Sequence, residues 1–315
     1  PGVTAATEEF TASTNVITGA AWTSGPNLGT ARNSLSGCGT QTAGLVAGGD
    51  NNDPSYSTEV EEYNGTSWSE QNDLPANRRS GAMAGTQTAS IYFGGQSYPN
   101  VQQEESFKYD GSSWTSGGNL PVTNAFGGVA GTGTQTAALG VGGYSGNPGS
   151  YINTVFEYNG SSWSTNPNNY PGAITEIGHC GTQTAALLIG GGDSGGSYQT
   201  TSFTYDGSSF SAAPNLIYAH SAAASGGTQT DAIACTGRTT PQPSASNQAQ
   251  GYDGTSWASR PSLGSARRVG ASGKNTSPAA ASWAAGGYTG SDHSNAYEEF
   301  TGETTAANVE TFSTS

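Results

Sequence analysis

Charge is scarce in this chain of 315 residues: Asp, Glu, Lys and Arg together make up 10%, against roughly a quarter in ordinary globular domains. Lysine is reduced to Lys108 and Lys274 and methionine to Met83. Helices are built from such residues in quantity, with Ala, Leu and Glu, so an α-rich fold is excluded. No apolar run approaches the ~18 residues of a membrane helix. No signal peptide is visible and the chain opens at Pro1, so targeting information is expected upstream. Three cysteines cannot complete a disulfide framework. The net charge of −14 and isoelectric point near 4.3 argue against nucleic acid, whose phosphates require a basic surface, and against an anionic membrane surface. What is abundant is glycine, 48 of 315 residues, with 10% aromatics. A disordered chain is poor in aromatics and rich in charge. The remaining class is a turn-dense all-β protein.

Self-similarity organises the whole sequence. GTQT begins at Gly39, Gly85, Gly133, Gly181 and Gly227, with a degenerate GKNT at Gly273, at intervals of 46, 48, 48, 46 and 46 residues. A Tyr-Asn/Asp-Gly landmark places its tyrosine at Tyr63, Tyr109, Tyr158, Tyr205 and Tyr252. Trp68, Trp114, Trp163, Phe210 and Trp257 each follow that tyrosine by five residues. A double glycine follows GTQT at 48–49, 94–95, 142–143, 190–191 and 286–287, degraded to Thr236-Gly237 in the fifth copy.

One unit reads as four strands. In the third copy these are residues 126–131, rich in small side chains, then 137–141, 154–158 and 161–165. Asn159-Gly160 reads as the centre of a type I′ hairpin, which needs positive φ at both positions. Four strands of five or six residues with their turns fill the period. The first strand of each unit is made of small residues, as in Gly81-Ala82-Met83-Ala84 and Ala222-Ala223-Ala224-Ser225, which suits strands converging on an axis. The expected fold is an all-β, six-bladed β-propeller of four-stranded antiparallel blades, closed by a terminal half-repeat. The blades are expected at about 28–74, 75–120, 121–170, 171–215, 216–262 and 263–315, after a closure segment at 1–27. Glu8-Glu9-Phe10 and Glu298-Glu299-Phe300 each precede an aromatic residue by twelve positions, so both ends carry an outer half-repeat. One half must complete the sixth blade and the other is surplus; the sequence does not choose between them.

The order of apolar double-glycine strand, aromatic strand and tryptophan strand resembles the kelch-type repeat of kelch proteins and of the galactose oxidase propeller. The finer pattern, seen in Gly85-Thr86-Gln87-Thr88-Ala89 and Glu61-Glu62-Tyr63-Asn64-Gly65-Thr66-Ser67-Trp68, resembles the propeller repeats of virion and tail-associated proteins of marine bacteriophages. The galactose oxidase resemblance implies a copper site of tyrosines, two histidines and a cysteine cross-linked to one tyrosine. The residues do not support it. His179 sits near the constant-turn end of its strand and His220 near the variable end, levels roughly 16 Å apart. Cys38 and Cys180 fall in opposite blades, whereas a disulfide needs Cα atoms within about 7 Å. No glycosidase pair, nucleophile elbow or phosphate loop is present. No cofactor, no metal and no enzymatic activity are expected.

Antiparallel order places the GTQT and Asn/Asp-Gly turns on one face and the variable loops on the other. Those loops carry Tyr56, Tyr98, Tyr144, Tyr151, Tyr198 and Tyr288 among Ser, Gly, Asn and Pro, with His293 in the last. Rigid amphipathic rings with adaptable polar neighbours suit a recognition surface, so these seven are the candidate ligand-binding residues. The plainer explanation is a soluble loop surface. The tryptophans recur once per blade and are expected in packing between sheets. The Glu-Glu pairs at 8–9, 61–62, 104–105 and 298–299 recur in register and are expected as a solvated acidic rim. Asp50-Asn51-Asn52-Asp53 has oxygen ligands suited to calcium but no full loop signature. Asn64, Asn159 and Asn275 open glycosylation sequons, the first two already explained as turns.

The function these readings favour is a non-enzymatic adhesion module of a virus particle, a tail-fibre or appendage protein on the virion surface. Its expected partners are a host-surface glycan or protein, other virion subunits and further copies of the chain, without nucleic acid or membrane insertion. The alternatives are a purely architectural virion protein and, less favoured, a polysaccharide-active propeller enzyme.

Overall fold

The computed structural model describes residues 13–52, 55–122, 125–127, 130–145, 150–239, 245–273 and 279–309. Glu8-Glu9-Phe10, Asp53, Gly128-Val129, Lys274, the sequon at Asn275 and Phe312 lie outside them. Six four-stranded antiparallel sheets form a six-bladed β-propeller, with one short 3-10 turn at Ala279–Ala281. The first blade runs outward from the axis as Ser36–Thr40, Ala43–Ala47, Val60–Tyr63 and Trp68–Glu70. The innermost strands of the next four blades are Ala82–Thr86, Ala130–Thr134, Gly178–Thr182 and Ala224–Gly227. They begin about two residues later than the small-residue runs suggest and take in the Gly-Thr of GTQT, except in the fifth blade, where the strand ends at Gly227. Ala271–Ser272, Trp283–Ala285 and Tyr297–Thr301 supply three strands of the sixth blade.

The fourth strand of that blade is Ala21–Ser24, so the N-terminal half closes the ring. Trp22 then meets Phe300 with ring centroids 5.2 Å apart. In other blades the third and fourth strands join in a tight hairpin. Here the pairing continues past that level in the same register, Ser13–Thr18 against Thr304–Val309, as a two-stranded ribbon of six residue pairs. The C-terminal half is therefore paired with the N-terminal half and is no seventh outer blade.

The hydrophobic core is divided into six clusters, each formed where two neighbouring blades meet. Trp68 packs on Tyr63 of its own blade and on Tyr297 and Trp283 of the sixth. Trp163 packs on Phe93 of the blade before it at 4.6 Å. Close to the axis even a methyl group is too large: a Cβ on Gly131 would lie 2.5 Å from that of Ala82 in the adjacent blade.

Polar contacts between blades explain the GTQT motif. Gln87 Nε2 donates to the carbonyls of Gly44 and Tyr63, both in the preceding blade, at 3.0 and 2.8 Å. Gln41, Gln135, Gln183 and Gln229 repeat this arrangement, and Gln41 reaches Ser282 and Phe300 across the ring closure. The glycine before each glutamine is equally constrained, since Gly85 has φ of 116° and a Cβ there would lie 2.2 Å from the Ala89 carbonyl oxygen. Gln87→Ala leaves two interblade carbonyls without their donor, so a loss of about 1–3 kcal/mol is expected in urea unfolding. Gln87→Glu will not restore it, because a carboxylate has no hydrogen to offer a carbonyl.

The Asn/Asp-Gly hairpins differ from the type I′ expectation. Only the glycine has positive φ, 94° at Gly160. The asparagine stays outside the turn centre, and its Oδ1 accepts the N–H groups of Ser161 and Ser162. One side chain thus does what a second left-handed residue would do. In Asp110, Asp206 and Asp253 the same position is a carboxylate, held down to about 2 by the N–H and hydroxyl hydrogens of the residues two and three places on, beyond the glycine. The folded value lies below the unfolded one, so these turns keep their hydrogen bonds from neutral pH down through pH 4. They release them as pH falls through about 2. Carboxyl carbon shifts followed by NMR should show three aspartates titrating near that value.

Candidate functional site

The antiparallel order leaves the second-to-third-strand loops and the connections between blades at one mouth of the ring. That mouth opens into a cavity of about 550 Å³ on the axis. Its frame repeats from blade to blade. The residue just after each double glycine pairs with the residue just ahead of the innermost strand: Asn33 with Asp50, Arg79 with Gln96, Gly127 with Tyr144, Thr175 with Gly192, Ser221 with Arg238 and Arg268 with Tyr288. One residue further on, Ser34, Ser80, Glu176, Ala222 and Val269 all have φ between 50° and 55°. Non-glycine residues adopt that conformation at a cost, β-branched ones most of all.

What holds the left-handed residues is a chain of backbone hydrogen bonds from blade to blade. Ser80 N–H donates to Ser34 C=O, Ser34 to Val269, Val269 to Ala222 and Ala222 to Glu176, at 2.7–3.2 Å. Below this ring the innermost strands are joined through side chains. Ser36 Oγ donates to the Gly81 carbonyl, Gly131 N–H donates to His179 Nε2 at 3.0 Å, and His179 N–H donates to Ser225 Oγ. His179 therefore lines the cavity as a seam residue between the third and fourth blades.

Backbone geometry at the mouth is constant while the side chains placed on it are not, and the arginines account for most of the site's charge. Arg32, Arg78 and Arg267 point into the protein and are buried; Arg79, Arg238 and Arg268 line the cavity. Arg79 bonds Asp50 at 2.8 Å, Asn100 at 2.7 Å and Gln96 at 3.2 Å, and lies 4.4 Å over the Tyr56 ring. Arg238 bonds Glu176 at 2.8 Å, and Ser221 donates to the same carboxylate. Arg268 lies 5.2 Å from the Tyr288 ring centroid. Burial, then the neighbouring Arg238, holds its basicity below the ordinary arginine value.

The inward arginines correct the expectation of a solvated acidic rim. Glu61 is 5% exposed and accepts from Arg32 Nη2 at 2.5 Å and from Gly29 N–H. Glu298 makes the same pair of contacts with Arg267 and Gly264. The second member of the first pair, Glu62, accepts the Tyr109 hydroxyl of the next blade at 3.0 Å. Strand alternation does send neighbouring carboxylates to opposite sides, but both sides here meet protein. Arg78 pairs with Glu105 in the second blade.

Where the arginine is absent, so is its acid. His220 and Gln250 occupy the equivalent places in the fifth blade, and Gln250 Oε1 accepts the Ile217 N–H as Glu61 accepts that of Gly29. In the fourth blade the pair is Ile174 and Phe203, packed in one apolar cluster. His220 is fully buried, and desolvation lowers its imidazole to about 4. Between pH 6.5 and about 4 the unfolded chain binds a proton that the folded protein refuses. Stability should be unaffected above that window and fall within it by up to about 1.4 kcal/mol per pH unit. Urea unfolding at successive pH values should show this slope for the native chain and lose it in His220→Leu.

Of the seven predicted site residues, Tyr144, Tyr151 and Tyr288 line the cavity. Tyr144 and Tyr151 face each other across a short strand pair, edge to face at 5.8 Å. His293 stands behind Tyr288 at 5.9 Å and bonds Asn52 through Nδ1 at 2.8 Å. Tyr198 sits beside Arg268 at the fourth blade, outside the lining. Tyr56 and Tyr98 form a separate edge-to-face pair, with Tyr56 buried under Arg79 and Tyr98 53% exposed. The Asp50 carboxylate proposed for calcium is engaged by Arg79, and among the described residues no group of three metal-ligating side chains is assembled. The three cysteines are buried, and burial raises Cys235 to about 12. The cavity arginines are functional candidates the repeat pattern did not reveal. The cue was the pair of positions after each double glycine and ahead of the innermost strand, which hold Arg238 in one case and Arg79 and Arg268 in the other and vary around the ring.

The ring, its closure and its axial cavity define a six-bladed β-propeller. Among solved structures, that of the propeller protein YjhT is similar, with a TM-score of 0.69, 13% identity, and coverage of 90% of this chain and 99% of that one. At that identity the likeness shows the fold alone. No protein-family model and no curated protein matches the chain.

Proposed function

We propose that this propeller is a non-enzymatic adhesion module of a virus particle, a tail-fibre or appendage component on the virion surface. In this reading it contacts a host-surface glycan or protein through the variable-loop mouth. The observation that carries the recognition role is the mouth itself: one repeated backbone frame whose facing residue pairs are a different combination in each blade, around a 550 Å³ cavity. A ring needed only for stability would have no use for such variety at equivalent places. The sizes match those of ligand pockets with a few oriented polar groups. The virion setting rests on the resemblance of the GTQT and Tyr-Asn-Gly-Thr-Ser-Trp pattern to marine bacteriophage repeats, and the kelch-type assignment rests on the same strand order.

Binding without turnover is favoured because the carboxylates and the histidine at the mouth, the groups that could serve as acid or base, already serve the fold. Glu176 holds Arg238 and Ser221, Asp50 holds Arg79, and His179 accepts a backbone N–H. Several modules on one particle would turn weak single contacts into firm attachment.

Host-cell and glycan-array binding by the intact chain tests this. Tyr144→Ala and Tyr288→Ala should abolish binding, whereas Thr66→Ala on the opposite face should leave it unchanged. Contacts of the mouth solely with other virion subunits would favour the architectural alternative. Cleavage of a bound polysaccharide would overturn the non-enzymatic reading.

A further inference from the structure

We propose that the axial cavity takes an oxyanion carried on a saccharide, a carboxylate or a sulfate, held by the guanidinium of Arg268 with Arg238 beside it. This deepens the adhesion reading and rests on it for the choice of face.

The argument begins with the balance of charge. The chain carries nine basic residues against 23 acidic ones, yet three of those nine line this cavity. Arg79 is satisfied by Asp50, Asn100 and the Tyr56 ring. Glu176 lies among the remaining two, bonded to Arg238 and attracting Arg268 at longer range. One carboxylate facing two guanidinium groups leaves one positive charge uncompensated. Among the described residues Arg268 makes no ion pair and no side-chain hydrogen bond; its one close partner is the Tyr288 ring.

That arrangement is costly as it stands. Arg268 is half-buried, and both desolvation and Arg238 oppose its charge. An oxyanion between the two would relieve the repulsion and give the planar guanidinium the paired acceptors it fits. Tyr288 fixes the guanidinium from one side, itself braced by His293 and, through it, Asn52. Tyr144 and Tyr151, on the third blade's part of the wall, offer ring faces and hydroxyls to a sugar. The whole molecule, at −14, repels anions at a distance. An anion retained here is therefore retained by direct contact.

Isothermal titration of the full chain with hexagalacturonate, a heparin-derived sulfated disaccharide and neutral maltohexaose tests the proposal. At least one anionic probe should bind and maltohexaose should not; which one binds distinguishes carboxylate from sulfate. Arg268→Gln should weaken that binding about tenfold or more with its thermal unfolding unchanged. Arg260→Gln, outside the cavity, should bind as the native chain does. Arg268→Lys, which keeps the charge but loses the fork, should recover part of the affinity. Equal binding of acidic and neutral probes, full binding by Arg268→Gln, or no anionic binding at millimolar concentration would each overturn the proposal. Host-cell binding that still depends on Tyr144 and Tyr288 would, in those cases, leave the adhesion reading standing. Anionic binding without host-cell attachment would separate the two in the other direction.

Discussion

Neighbouring blades are held together by a side-chain amide in place of a shared sheet. Each GTQT glutamine spans the gap and gives its two hydrogens to carbonyls of the blade before it, one on the second strand and one at the end of the third. Among the described residues only isolated bridges such as Gln199 with His220 and Ser246 with Arg267 join one blade to the next, so this contact, the six apolar clusters and the axial hydrogen bonds must set how one sheet is inclined to the next. The motif recurs because its geometry does: a left-handed glycine to turn the chain, a glutamine long enough to reach, and small flanking residues. Once the inclination is fixed, the ring and its axial opening follow.

The repeat made the architecture legible because propeller blades are defined by local spacing. Tyr63 to Trp68 and Gly39 to Gly48 each lie within one unit, so their regularity survives in the linear order. Contacts that join distant positions left weaker traces. Glu61 reads as a surface carboxylate until Arg32, 29 residues earlier, is seen to reach it. The hairpins were placed correctly but misjudged in detail, because Asn159 acts through its side chain where a backbone rule expects positive φ. At the mouth, Tyr144, Tyr151 and Tyr288 converge on the cavity, while Tyr56 turns inward beneath Arg79. The arginines escaped notice because they stand at positions whose residue type does not repeat from blade to blade.

Six of the seven arginines divide by direction, three inward and three to the cavity, while Arg260 is exposed on an outer strand. In Arg78-Arg79 and Arg267-Arg268 the first residue turns inward to an acid and the second turns to the cavity. Each inward residue has a matched partner, and the match changes character around the ring: Arg with Glu in the first and sixth blades, His with Gln in the fifth, Ile with Phe in the fourth. This is consistent with the energetics of buried pairs. An ion pair exchanged whole for a neutral or apolar pair costs little, whereas one partner left alone costs several kcal/mol. The ring therefore tolerates diversity between blades provided a buried arginine keeps an acid: in the second blade Phe107 stands at the place of Glu61, and Glu105 pairs with Arg78 instead.

The terminal ribbon bears on how the molecule is mounted. Ser13 and Val309 are directly paired, and the ribbon leaves from the end of the sixth blade that bears the constant turns, about 20 Å beyond it by strand rise. The chain's route in and its route out thus form a single stem at the back. Anything tethered through that stem stands behind the disc, and the open mouth with its arginines and tyrosines faces the other way, unshadowed. A force that draws the two strands apart sideways would open the ribbon pair by pair before it reached the blade they seal, whereas a pull along the stem passes through both strands to that blade.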